Sequence, residues 1–480
     1  MTSSTITIKG LRPSLSGPGG SALVLALGIA LSLGISVAAL MTERLEFLVA
    51  IAAIPLALAL ASLRPFLLCL AFICFSFFRL HEAIPVLHPL RVPEALGALT
   101  LLSLIIHAQQ LKRSVSWPPE LAMFAVFFAL VTIGLPFSDN RVVAFEYWSD
   151  SFVKIAAITV AASWLMNGRA DAVLAVRVFL LCGFFLGCVA IYNKLNGIDL
   201  VGGSRVTIGH AMGSPIGDPN DLALTLMLPL GFAGAILARA APLWDRLLAI
   251  ATISVIVIAI YFTESRGGTL GTAAVFLPLL FRRITWKSIL VVACLLAVVY
   301  LIGSSLFAGR AGDEMVMSSD DRLRAWGAAI RMAIFNPIGG VGLGNFGDNL
   351  YFYVERWDGF RDMVAHSTWF TVLAETGLPG FAVFIAMIYQ MMRSARRSLI
   401  IFEARSNMGP IASAMPLGVI ASLTGFCVAG SFLTQAYTWQ IYILLALTIA
   451  TRRLADALTG ASARTDRSAA RKRYRKARLW

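Results

Sequence analysis

Runs of about 17–22 apolar residues recur along this chain, and each is long enough to cross the roughly 30 Å hydrocarbon core of a bilayer. Of the 480 residues 58% are hydrophobic and only 14% charged, with a mean hydropathy of +0.79, a balance outside that of soluble globular domains. A backbone inside hydrocarbon must bond to itself, and these runs are continuous rather than alternating, so a helical bundle is expected and a β-barrel is not. The expected fold class is therefore an all-α polytopic membrane protein of about 12–14 transmembrane helices with one large outer loop. Fourteen candidate helices fall near 22–40, 46–63, 65–79, 93–108, 118–136, 151–166, 172–193, 219–238, 247–263, 268–281, 288–307, 366–390, 411–432 and 437–451. The second and third are separated only by Leu63 and Arg64, and the last two only by the short stretch Leu433–Thr438.

Charge orients the bundle. With the N-terminus on the cytoplasmic side and strict alternation, the cytoplasmic segments include QQLKRSVSWP, NGRAD, ARAAPLWDR, RRITWK and RSARRSLIIFEARSN. That side takes 26 of the 40 Lys and Arg but only six acids: Glu120, Asp171, Asp245, Glu403, Asp456 and Asp466. The Lys/Arg asymmetry is what positive-inside insertion demands. The basic tail from Arg452, with RKRYRKAR near its end, accounts for much of the net charge of +14. Directly after a membrane helix such a tail satisfies the same rule and suits anionic headgroups, so no nucleic-acid partner is expected. The first 21 residues read as a cytoplasmic leader without a cleavage-site signature. Cys69, Cys74, Cys182, Cys188, Cys294 and Cys427 all lie in apolar runs, which argues against a disulfide framework or a thiolate metal site.

The outer side then carries three polar segments that hydropathy does not explain. GGSRVTIGHAMGSPIGDPNDLA brings Arg205, His210, Asp218, Asn220 and Asp221 ahead of the eighth helix. TESRGGTLG sets Glu264 and Arg266 between two helices, beside glycines that permit close approach. The third runs from SSDDRLRAW, with Arg322 and Arg324, through NPIGGVGLGNF to AHSTWFTVLAETGLPG, with His366 and Glu375. Basic residues here run against the insertion bias. A guanidinium fork binds two oxygens at once and never loses its charge, which suits a phosphate or diphosphate leaving group. An imidazole titrates near neutrality and suits a general base for a hydroxyl. Nucleotides are absent outside the cytoplasm, so a donor there must store its energy in a lipid-linked diphosphate. The set is thus compatible with glycan transfer from a polyprenyl diphosphate to a hydroxyl. Simpler readings stand beside this one: Arg322, Arg324, Arg331 and Arg361 as snorkelling interface residues, His366 or Asn220 as helix caps, and His81, His88, His107 and His210 as structural residues.

Together the three segments resemble the O-antigen ligase and polymerase superfamily of bacterial envelope glycan enzymes. The matching pieces are Arg205 followed by DPNDLA, SRGG opening a helix, Gly342-Leu343-Gly344-Asn345-Phe346, His366-Ser367, and Glu375-Thr376-Gly377-Leu378-Pro379-Gly380. They cover roughly residues 195–385 in order. The resemblance implies a metal-independent, inverting glycosyltransferase without cofactor. It implies action on an undecaprenyl-diphosphate-linked saccharide at the periplasmic face of the bacterial inner membrane, with a glycan, lipid or protein hydroxyl as acceptor. His366 and Arg266 take the catalytic positions; Arg205, Arg322 and Arg324 the diphosphate-binding ones; Asn220, Glu264 and Glu375 supporting ones. The expected organisation is a leader at 1–21, N-terminal transmembrane helices at 22–193, a ligase/polymerase-like domain at 194–451 enclosing an outer loop at 309–365, and a basic cytoplasmic tail at 452–480. Fourteen helices lean towards a polymerase over a ligase. A lipid-linked oligosaccharide flippase is the rival class, but it needs polar groups along a mid-membrane path, and the helix interiors here are nearly free of charge.

Overall fold

The computed structural model describes residues 65–83, 92–107, 117–166, 168–239, 241–280, 312–355, 364–404 and 409–477. The candidate helices at 22–40, 46–63 and 288–307, the leader, His88, Cys294 and Arg361 lie outside them. The described helices are α1 (Pro65–Ser76), α2 (Val92–Ile106), α3 (Pro119–Gly134), α4 (Arg141–Tyr147), α5 (Val153–Leu165), α6 (Arg169–Asn196) and α7 (Pro219–Leu237). They continue with α8 (Leu243–Thr263), α9 (Arg266–Leu280), α10 (Gly312–Phe335), α11 (Phe346–Tyr353), α12 (Thr368–Glu403), α13 (Pro410–Ala429) and α14 (Trp439–Ala477). A two-residue hairpin, Leu200–Val201 with Arg205–Val206, forms the β-structure among the described residues. The protein is an all-α polytopic membrane protein: among the described helices α3 with the 3₁₀ turn that extends it to Phe137, α6, α7, α8, α12 and α13 are long and apolar enough to span a bilayer.

The buried heart is α7, packed against α13, α8 and α9. Small residues let these backbones close: a Cβ on Gly231 would meet Ser422 and one on Gly271 would meet Met227 and Ala429. A second apolar block, from Phe124 and Phe127 of α3 through Phe152 to Phe384 and Tyr442, joins α3, α12 and α14.

Polar groups sort to the two ends. At the end the charge pattern assigns to the cytoplasm, Arg177 Nε reaches Asp245 at 2.8 Å, Arg239 reaches Glu403 at 2.9 Å and Arg452 reaches Glu120 at 2.9 Å. Asp456 pairs with Arg397 at 3.3 Å. Four of the six acids counted on that side therefore meet an arginine counted on the same side.

The stretch 309–365 is not simply a loop. It contains α10 and α11, whose inner faces (Ala325, Ala328, Ala329 and Met332; Phe346 and Leu350) form a small core of their own with Val341, Ala365 and Ala374. Hydropathy missed both because each is amphipathic and neither carries a long apolar run.

Candidate active site

The three polar segments meet at the other end of the bundle. In the first, Asp218 caps α7, accepting from the amides of Asn220 at 2.7 Å and Asp221 at 3.4 Å. Capping therefore falls to Asp218, and the Asn220 side chain is used elsewhere. Its Oδ1 accepts from Arg205 Nη2 at 3.1 Å and from Ser265 Oγ at 2.7 Å. Arg205 Nε also donates to the Thr263 carbonyl at 3.2 Å. Two of the predicted segments are thus stitched together through Asn220, and the Arg205 guanidinium is held by α7 and by the end of α8.

The second segment opens α9. Ser265 Oγ accepts from the Gly268 amide at 3.0 Å, which fixes the first turn with Arg266 exposed on it. Glu264, at φ 51°, takes part in a separate cluster: Ser204 donates to its Oε2 at 3.0 Å and Lys194 lies 3.5 Å from its Oε1.

The third segment places His366 half-buried at φ 46° just ahead of α12. The N-cap position is Ser367, whose side chain makes no capping bond. Trp326 of α10 donates its indole N–H to the carbonyl of Ala365 at 2.9 Å and stacks on Phe370 with centroids 5.1 Å apart. Arg322, one turn before Trp326, shares its side of α10; Arg324, two residues on, lies about 160° around the helix. The two loop arginines are therefore split, and only Arg322 is on the His366 side.

What joins these segments is a piece not singled out as part of the site, residues 430–438. The Thr368 amide donates to Gly430 O at 2.7 Å, its hydroxyl to Leu433 O at 2.6 Å, and it accepts from the Gln435 amide at 3.0 Å. Trp369 Nε1 donates to Ser431 at 3.0 Å. Gln435 Nε2 then reaches Asp221 Oδ1 at 2.5 Å, and Phe432 lies against Gly267, 3.1 Å from where its Cβ would be. One nine-residue turn thus holds the His366 turn, the start of α7 and the start of α9. The only sequence signal for it is a buried Gln in a short apolar connection.

Glu375 lies beneath, 4% exposed. One of its oxygens accepts from the Phe346 amide at 3.4 Å, and its carboxylate faces the Tyr437 hydroxyl. The glycine-rich turn is also fastened to an unexpected partner, Ser138–Asn140: Asp139 N donates to Val341 O at 3.1 Å, and Asn140 N to Asn345 Oδ1 at 2.8 Å.

Among the described residues the non-glycine residues with positive φ are Arg79, Asp199, Glu264 and His366, and all four lie at this end. Each costs on the order of 1–3 kcal/mol and persists only where its surroundings fix it; such residues concentrate at functional sites. His210 and Arg331 are structural: His210 Nδ1 pairs with Gly217 O at 2.9 Å, and Arg331 holds Tyr353 O at 2.6 Å and Glu355 at 2.8 Å.

Residues 249–385 match the family model described as O-Antigen ligase. The match takes in Arg266, α10, the glycine-rich turn, His366 and Glu375, and leaves out Arg205, Asn220 and the 430–438 turn. It supports the O-antigen ligase/polymerase superfamily. A search of curated proteins finds no match.

Proposed function

Taking residues 249–385 as an O-antigen ligase domain, we propose that this chain is a membrane glycosyltransferase that moves or polymerises glycan from an undecaprenyl-diphosphate-linked saccharide. The reaction takes place at the periplasmic face of the bacterial inner membrane. The acceptor is a hydroxyl of a glycan, a lipid or a protein.

In this mechanism the His366 imidazole takes the proton of the acceptor hydroxyl. The acceptor oxygen attacks the anomeric carbon of the donor sugar as the bond from that carbon to the phosphate oxygen breaks. The electron pair leaves with the polyprenyl diphosphate, whose charge is met by Arg266, Arg205 and Arg322. Attack opposite the leaving group inverts the anomeric centre, and the arginines serve where other transferases use a divalent metal. Arg324, on the other flank of α10, is given the lesser part of receiving the donor before it settles. Asn220 positions Arg205, Glu264 ties the turn just ahead of Arg266 to Ser204 and Lys194, and Glu375 holds the amide that opens α11.

The observation that carries this reading is the 430–438 turn, which binds the histidine turn to the starts of α7 and α9 through Thr368, Gln435 and Phe432. Its test is release of polyprenyl diphosphate from a defined lipid-linked saccharide by the purified protein in nanodiscs. Arg266→Ala and Arg205→Ala should each lower turnover by about 100-fold or more. Near-normal turnover in both would remove the diphosphate role. A product ladder without added acceptor identifies a polymerase, and single transfer of a whole chain identifies a ligase.

A further inference from the structure

We infer that the end of α10 and the glycine-rich turn after it, residues 334–342, dip into the bilayer, and that their exposed apolar face meets lipid acyl chains. This does not depend on the reaction proposed above.

The depth follows from α12. Its first charge towards the cytoplasmic end is Arg393, and Leu378 lies 15 residues before it (393 − 378), about 22 Å along the axis at 1.5 Å per residue. That is well short of the roughly 30 Å hydrocarbon thickness, and tilt of the helix only shortens it. Leu378 is joined directly to the turn: its amide donates to Pro337 O at 2.8 Å, and a Cβ on Gly377 would lie 2.6 Å from that same oxygen. Pro337 and Ile338 are therefore held at hydrocarbon depth.

A second ruler gives the far edge. Glu120, bound to Arg452 and Ser394, marks the cytoplasmic level on α3. From there to Ser138 the chain rises about 27–29 Å, through α3 and a short 3₁₀ turn. Gly342, whose Cβ would fall 2.2 Å from Ser138 Oγ, accordingly sits at the edge of the layer, with Pro337–Gly340 further in.

Irregular backbone at that depth is tolerated only when its polar groups are bonded within the protein. Here they are. Gly340 N donates to Asn336 O at 2.9 Å, Val341 N to Ala374 O at 2.9 Å and Gly342 N to Glu375 O at 3.2 Å. The outward side chains are apolar: Ile334 is 66% exposed, Phe335 71%, Ile338 81% and Leu378 57%. On α10 Leu323, Gly327, Ile330 and Ile334 fall on one stripe at helical spacing, opposite the buried Ala325–Met332 face. The stripe runs into the lipid-facing surface of α12 at Leu378. Four exposed apolar side chains in water at this one place would be an aggregation liability; in a leaflet they are at home. That continuity with a membrane-spanning helix identifies the occupant as bilayer lipid.

Nitroxide accessibility tests this. Ile338→Cys and Phe335→Cys, made where the native cysteines are replaced by alanine or serine, are labelled and reconstituted in phosphatidylglycerol/phosphatidylethanolamine vesicles. Collision with oxygen should exceed collision with the water-soluble nickel chelate at both, as at the reference Ile385→Cys on α12 and opposite to Asp348→Cys. Greater accessibility to the nickel chelate at Ile338 would overturn the inference. So would exclusion of both reagents, which would mean that protein, such as a second copy of the chain, covers the face. A benzophenone amino acid at Ile338 gives an independent reading: cross-linking to phospholipid supports the inference, and cross-linking only to protein contradicts it.

Discussion

Asn220 and Gln435 carry little charge and no chemistry of their own, yet each spans two of the segments that surround His366. Asn220 Oδ1 accepts from both Arg205 and Ser265, so the start of α7 fixes a guanidinium and the start of α9 with one atom. Gln435 reaches Asp221 with its amide nitrogen and accepts from Thr438 at 2.8 Å with its oxygen. Gln435→Leu keeps the volume but removes both bonds. A buried hydrogen bond contributes about 0.5–1.5 kcal/mol net, so losing two should lower the melting temperature in detergent by a few degrees and lower transfer activity. An unchanged melting temperature with full activity would deny the turn its organising role. At this scale the sequence was informative about the charged residues and about Asn220, and silent about Gln435. Arg205, Arg266 and His366 stand out against an oily background; a glutamine between two apolar runs does not.

At the scale of elements, α12 is the instructive case. The apolar run at 366–390 reads as one helix, and Thr368–Glu403 is one, but it is interrupted at Gly377, with φ 64° and ψ −168°. The interruption frees Ala374 and Glu375 carbonyls to bond the glycine-rich turn, and Gly340 fills the space where a side chain would strike the Ala374 carbonyl at 2.4 Å. The ETGLPG and GGVGLGNF motifs are therefore two halves of one contact, which neither segment reveals when read alone. Gly342→Ala tests it. The residue sits at φ 99° with its Cβ position 2.2 Å from Ser138 Oγ, so the change should cost at least about 1–3 kcal/mol from backbone strain alone. Thermal unfolding should show this, whereas Gly134→Ala, with αR backbone and open space around its Cβ, should not lower the transition. The apolar helices that are described match the hydropathy to within a few residues at most ends. α10 and α11 escaped because their burial is against each other and α12 rather than against a long apolar stretch.

For the molecule as a whole, the charge pattern anticipated the division into two ends. One end is laced by arginine–carboxylate pairs between neighbouring helices, and the other holds the strained residues and the three polar segments. The N-terminal half enters the site as more than hydrophobic packing. Ser138–Asn140 seats the glycine-rich turn, and Glu82 accepts from Ser214 in the loop that carries Arg205. Such contacts join residues more than 130 positions apart and leave no local trace in the sequence. The O-antigen ligase match at residues 249–385 covers the centre of this arrangement, while part of its support comes from outside. The proposed function puts activation of a hydroxyl against a lipid-linked diphosphate sugar at the His366 turn. Its most direct test is turnover of a defined undecaprenyl-diphosphate saccharide by His366→Ala in nanodiscs, with helicity and melting temperature measured alongside. The expected result is a folded protein whose turnover falls by about 100-fold to 10,000-fold; turnover within a few-fold of the parent protein would remove His366 from the role of base.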